Sequence, residues 1–166
     1  TGSVPVGKGI ARAAIENLTK VQMEMGSKNA LAVMDDADID LAVAMSAGGA
    51  FGGSGQKCTS SSRLIVHANV HDEFVEKLLK ATQAMKVGHG QHAGTQIGPV
   101  VSQQQLDENL KYVELGKSEG AELACGGQRL DMPTTGFYMS PGVFINTNND
   151  MRINREEMFA PLAAVI

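Results

Sequence analysis

At 166 residues the chain is long enough to bury one sizeable core, and its 43% hydrophobic and 19% charged content describes a globular protein. A formal net charge of −4 gives no support for nucleic-acid binding, and no apolar run reaches membrane-spanning length. Two widely separated cysteines, Cys58 and Cys125, do not make a secreted disulfide framework and point to a reducing, cytoplasmic setting.

The chain opens on TGSVPVGKG. Gly2 to Lys8 read G-x-x-x-x-G-K, a nucleotide phosphate loop up to its last position, where Gly9 replaces the Ser or Thr that would ligate Mg²⁺. Gly2, Gly7 and Pro5 predict an irregular turn, and Ile10, Ala13, Ala14 and Leu18 then recur at helical spacing. A glycine turn feeding a helix N-terminus suits phosphate, while a plain helix cap is the other reading. Next, KVQMEM (20–25) and NALAVM (29–34) predict two strands around Gly26. Glu24 stands inside the first run, where burial would raise its pKa toward that of a general base; an exposed strand carboxylate fits the pattern equally well.

DDADIDLAVAMSAGGAF (35–51) predicts a helix with carboxylates near its first turn, where the helix dipole favours them. Asp36, Asp38 and Asp40 imitate half a calcium loop, but Leu41 and Ala47 occupy its required Gly and Glu positions, so capping is the better account. GGSGQKC (52–58) is a loop, SSRLIVH (61–67) a strand, and 68–85 an amphipathic helix bearing Val75, Leu78 and Leu79. A glycine-rich connection (87–101) leads to another helix (102–121) carrying Leu106, Leu110 and Val113. AELACGG (121–127) predicts a strand, FYMSPGVFINT (137–147) a strand pair or bent strand, MRINREEMF (151–159) a short helix or turn, and PLAAVI a strand that reads as unfinished. Strands alternating with helices of these lengths indicate an α/β fold with a largely parallel sheet flanked by helices. His67 and His71 are spaced H-x-x-x-H, yet one ends a strand and the other begins a helix. With His89 and His92 in a glycine loop, all are read as solvated, and no metal is expected.

The cysteines differ in surroundings. Cys125 lies in an apolar strand and reads as a small buried hydrophobe. Cys58 sits among Gly, Ser and Thr, after Lys57, on backbone able to offer N–H groups to an oxyanion. That setting suits a nucleophile, although none of the histidines has a motif that would make it the base.

TGSVPVG, EMGSK, GQKC, IGPVVS and EEMFAP, in this order, resemble the cofactor-phosphate turn, the E-L-G-G-K glutamate motif, the G-Q-x-C nucleophile motif, the mid-domain G-P turn and the E-E-x-F-G-P motif of the aldehyde dehydrogenase superfamily. The resemblance covers essentially the whole chain. It implies an NAD- or NADP-dependent enzyme, and a piece of a longer chain: residues 1–25 would end the dinucleotide-binding domain, and 26–166 would form an incomplete nucleophile-bearing domain. Cys58 then looks like the thiolate that attacks an aldehyde, and Glu24 like the base that activates water against the resulting thioester. Gly2, Ser3 and Gly7 correspond to the pyrophosphate contact, Met25 and Gly26 to further cofactor-binding residues, Glu157 to the carboxylate on the nicotinamide-side ribose, and Phe159 to the aromatic packed near the nicotinamide. The run GQKCTSSSRLIV is similar to that of α-ketoglutaric semialdehyde dehydrogenases of the sugar-acid branch. The implied partner is a small aldehyde and the implied assembly a homo-oligomer. Ser27 and Ala160 stand where the motifs have glycine. The alternatives are a phosphate-loop ATPase, resting on Gly2–Lys8 alone, and a non-catalytic binding fragment.

Overall fold

A computed structural model describes residues 1–166. Helix α1 spans Val4–Ile15, β1 Ala30–Val33, α2 Ile39–Phe51, β2 Arg63–Val66 and α3 His71–Gln83. They are followed by α4 (Gln103–Ser118), β3 (Glu122–Cys125), β4 (Arg129–Leu130), β5 (Tyr138–Met139), β6 (Gly142–Ile145), α5 (Arg152–Arg155) and β7 (Leu162–Val165). Five strands form one sheet in the order β1-β2-β7-β6-β3, with only the β3/β6 pair antiparallel. β4 and β5 make a separate two-stranded ribbon. The α/β architecture and the largely parallel sheet are therefore as the alternation of patterns indicated.

Local chemistry sets the element ends. Asp38 caps α2, its Oδ1 accepting the Leu41 N–H at 3.0 Å, and Ser102 caps α4 in the same way through Gln105 N–H at 3.1 Å. The last strand, read from PLAAVI as unfinished, is the sheet's central one, and all of Leu162–Val165 are buried. Its side chains alternate between two cores. Ala163 and Val165 join Phe51, Leu64, Phe74 and Leu78 on one face; Leu162 and Ala164 join Leu106, Phe144 and Ile153 on the other.

The structure corrects the sequence reading in three places. Helix α1 begins at Val4, not near Ile10, because Pro5 in its first turn pre-sets a helical φ; the supposed turn from Gly2 to Gly7 is therefore mostly helix. Gly7 is buried there against Met25, since a Cβ at Gly7 would lie 1.7 Å from the Met25 sulfur. KVQMEM is not a strand. Residues 19–29 have no regular structure, and in this stretch Glu24 O accepts the Gly2 N–H at 3.1 Å without any continuing ladder. Two-residue β4 was not expected at all, since Arg129 and Leu130 carry too little pattern to read. No helix is long and apolar enough to cross a membrane.

Candidate active site

Three loops meet because three strands run the same way. β1, β2 and β7 are mutually parallel, with Ala30 opposite Arg63 and Arg63 opposite Ala164, so the segments that lead into them enter the sheet side by side. Those segments are 26–29, 58–62 and 157–161, which carry Gly26, Cys58 and Glu157. The site thus lies at the N-terminal ends of the strands, opposite to the carboxyl-end crevice common in open α/β sheets.

Each loop has a distinct backbone device. Before Cys58, Gly53, Ser54 and Gly55 are consecutively left-handed, with φ of 64°, 59° and 66°. Glycine adopts this region without strain, and Ser54 is held in it by its buried hydroxyl, which donates to Gly98 O at 2.8 Å. A Cβ at Gly55 would lie 1.9 Å from Ala160 O, so the nucleophile loop and the Phe159–Pro161 turn touch backbone to backbone. Gln56 Oε1 accepts the Val101 N–H at 2.9 Å, which ties the same loop to the IGPVVS segment. In the third loop Phe159 itself has φ of 53°, while Ala160 is buried with an ordinary φ. An alanine therefore fits where the motif has glycine.

Hydrogen bonds cross between the loops. Glu157 Oε1 accepts the Ser27 N–H at 3.2 Å, and Glu157 Oε2 carries no hydrogen bond. Gly26 has φ of 68°, and a Cβ there would stand 2.8 Å from Glu157 Oε2. Ser27 Oγ donates to Asn29 Oδ1 at 2.6 Å, and Asn29 Nδ2 donates to Cys58 O at 3.3 Å. Lys28, between Ser27 and Asn29, has its Nζ buried without a hydrogen-bond partner. Burial pushes its pKa down to about 8, the Arg63 charge adds to this, and Glu157 opposes it.

A cleft of about 660 Å³ opens over these loops, and Gly2, Ser3, Gly26, Cys58, Glu157 and Phe159 all line it. Three other expected residues do not. Gly7 is packed within α1, Met25 sits against it, and Glu24 is a solvent-exposed side chain two residues before Gly26. Burial of Glu24 was inferred from a strand that does not form. The phosphate-loop reading fails on geometry, because residues 4–9 are already helical and cannot wrap a triphosphate. What remains at that end is an open helix N-terminus: Ser3 makes no side-chain cap, and the first N–H to find an intrahelical partner is that of Gly7.

Gln56, Lys57, Thr59 and Gln105 also line the cleft. Gln56, Lys57 and Thr59 are sequence neighbours of Cys58 and could have been included on that ground. Gln105 comes from the first turn of α4, and nothing in its Gln-rich surroundings distinguishes it. The two thiols separate clearly, since Cys58 is exposed and Cys125 half-buried. Burial raises the Cys125 thiol pKa, with a backbone hydrogen bond from Val143 acting against the rise. His67 Nδ1 accepts the Asn69 N–H, His71 pairs with Asp72, and no three His, Cys, Asp or Glu side chains are placed to hold a metal ion together.

Comparison with known proteins converges on one family. Residues 1–166 match the aldehyde dehydrogenase family profile. The chain is similar to an alpha-ketoglutaric semialdehyde dehydrogenase of Bacillus subtilis, at 43% identity over 100% of the chain and 34% of that protein. A betaine aldehyde dehydrogenase of Brucella anthropi is 42% identical over the same shares. Among solved structures, betaine aldehyde dehydrogenase from Staphylococcus aureus in complex with NAD+ superposes with a TM-score of 0.95 at 35% identity, covering 99% of this chain and 33% of that one. An NAD-dependent aldehyde dehydrogenase from Sinorhizobium meliloti gives the same score and identity over 99% of this chain and 32% of its own. The chain spans about a third of the length of the curated relatives it matches.

Proposed function

We propose, starting from the fact that this chain belongs to the aldehyde dehydrogenase family, that it carries the reacting cysteine and part of the cofactor grip of an NAD- or NADP-dependent aldehyde dehydrogenase. The observation that carries the reading is the cleft itself. An exposed thiol, a carboxylate with a free oxygen, and an open helix end face one space although they are far apart in sequence.

The cleft fits a dinucleotide. Glu157 Oε2 is unengaged and suits a ribose hydroxyl, and the uncapped start of α1 beside Gly2 and Ser3 suits a pyrophosphate. When bound, the nicotinamide supplies a hydride acceptor. Cys58 thiolate adds to the aldehyde carbon, forming a C–S bond and a thiohemiacetal alkoxide. Loss of hydride from that carbon leaves a thioester on Cys58. Water then attacks the thioester, Glu24 takes its proton, and the carboxylic acid leaves as Cys58 returns to thiolate. The Glu24 side chain is exposed, two residues before Gly26, which lines the cleft.

The substrate reading is an anionic semialdehyde such as α-ketoglutaric semialdehyde. Lys57, an exposed cation lining the cleft beside Cys58, favours a carboxylate-bearing aldehyde over the trimethylammonium of betaine aldehyde. The setting we infer is cytoplasmic, where Cys58 stays a free thiol, and the assembly a homo-oligomer. In the protein carrying this chain, Cys58→Ala is expected to abolish NAD(P) reduction with either aldehyde, and also ester hydrolysis. Ester hydrolysis surviving in that variant would mean that another group attacks. A preference for betaine aldehyde would remove the substrate assignment alone.

A further inference from the structure

We propose that Ser27, together with Asn29, is a positioning residue for the nucleophile; the inference rests on the reading of Cys58 as the attacking group. The glutamate motif ordinarily has glycine at position 27, so the hydroxyl is a feature of this chain. It donates to Asn29 Oδ1 at 2.6 Å. With its oxygen engaged, the Asn29 amide can turn only its Nδ2 toward Cys58, where it donates to the carbonyl at 3.3 Å. Asn29 is itself fixed to the sheet, since its carbonyl accepts the Arg63 N–H at 3.2 Å. Holding the Cys58 carbonyl restrains the peptide plane that follows it, and with it the direction of the Cα–Cβ bond from which the thiol projects.

The same residue reaches the cofactor side through a different atom. Ser27 N–H donates to Glu157 Oε1, a backbone contact that any residue but proline can make at position 27. The backbone of Ser27 therefore serves Glu157 and its hydroxyl serves Cys58. This division gives the proposal its test, because removing the hydroxyl leaves the carboxylate's bond in place.

Four variants in the protein carrying this chain decide it: Ser27→Ala, Ser27→Thr, Asn29→Asp and the Ser27→Ala/Asn29→Asp double variant. Ser27→Ala is expected to lower kcat about three- to tenfold, the net worth of one hydrogen bond, with the NAD(P) KM changed less than about twofold. Ser27→Thr keeps the hydroxyl and restores kcat. Asn29→Asp offers no N–H to the Cys58 carbonyl and should lose at least as much. The double variant should be no slower than Asn29→Asp alone, because both changes break one chain of contacts. Wild-type kcat in Ser27→Ala or Asn29→Asp overturns the proposal, as does a raised KM with unchanged kcat. So does a Ser27→Thr variant as slow as Ser27→Ala. If Ser27→Ala does not fold, the Asn29→Asp and Ser27→Thr results decide alone. Cys58→Ala in the same assay keeps the two levels apart. If it is inactive while Ser27→Ala is normal, only the positioning role falls; if it is active, the reading of Cys58 falls and takes the positioning role with it.

Discussion

Glu24 and Lys28 stand four residues apart in the same loop and experience opposite environments. Glu24 is exposed, and a base needs only to reach the thioester once it has formed. Glu24→Gln should therefore release one equivalent of reduced cofactor in a burst and then stall with acyl-enzyme accumulated. Steady turnover at the wild-type rate in a stopped-flow trace would remove it from the mechanism. Lys28 has a buried, unpartnered ammonium whose pKa is lowered from 10.5 to about 8, chiefly by burial. Between those values the folded protein binds fewer protons than the unfolded chain, so its stability rises with pH there. The penalty is fully present below pH 8 and is relieved as pH approaches 10.5. Lys28→Met should accordingly raise Tm at pH 7, with the gain shrinking toward pH 10; a gain that is constant with pH would show that charge burial is not its cause. Cys58, Gly26 and Glu157 were legible in the sequence because short motifs surround them. The Ser27–Asn29–Cys58 chain was not, since hydrogen bonds spanning 29 residues leave no local pattern.

At the level of elements, the nucleophile loop is set by three left-handed residues and one backbone contact. Gly55→Ala places a Cβ 1.9 Å from Ala160 O at a φ of 66°, and Gly126→Ala places one 1.7 Å from Pro141 O at 63°. Each should destabilise by about 2–4 kcal/mol through overpacking and strain. Gly55→Ala alone should also slow alkylation of Cys58 by iodoacetamide, because Gly126 lies outside the cleft. Equal alkylation rates in the two variants would mean that the Ala160 contact does not hold the loop. Helices α2, α3 and α4 were readable from caps and apolar spacing. The strand expected over 20–25 failed because an apolar run becomes a strand only beside a partner, and here only the Gly2 N–H meets it. The early start of α1 was hidden by glycines that suggested a turn, while Pro5 was favouring a helix.

Across the whole molecule, parallel register brings the three loops together, and the sequence indicated that sheet without indicating which end of it would hold the site. Helix α1 leaves Val4, Val6, Ile10 and Ile15 exposed, an apolar face uncovered in this chain. We expect the 166-residue chain alone to bind NAD(P) weakly, to self-associate and to oxidise no aldehyde. Positioning supplies a large part of any barrier reduction, and this chain spans only about a third of the length of its relatives. Saturable NAD(P) reduction by the purified chain would contradict this. The bond from Ser27 to Glu157 joins residues 130 apart, and it closes only when β1, β2 and β7 already lie side by side. Such distant pairings form late because chain entropy must be overcome before they contribute. During refolding, helical circular dichroism should therefore return before the cleft does, so a nascent molecule passes through an interval in which it is already helical while Cys58 and Glu157 have not yet been brought to one cleft.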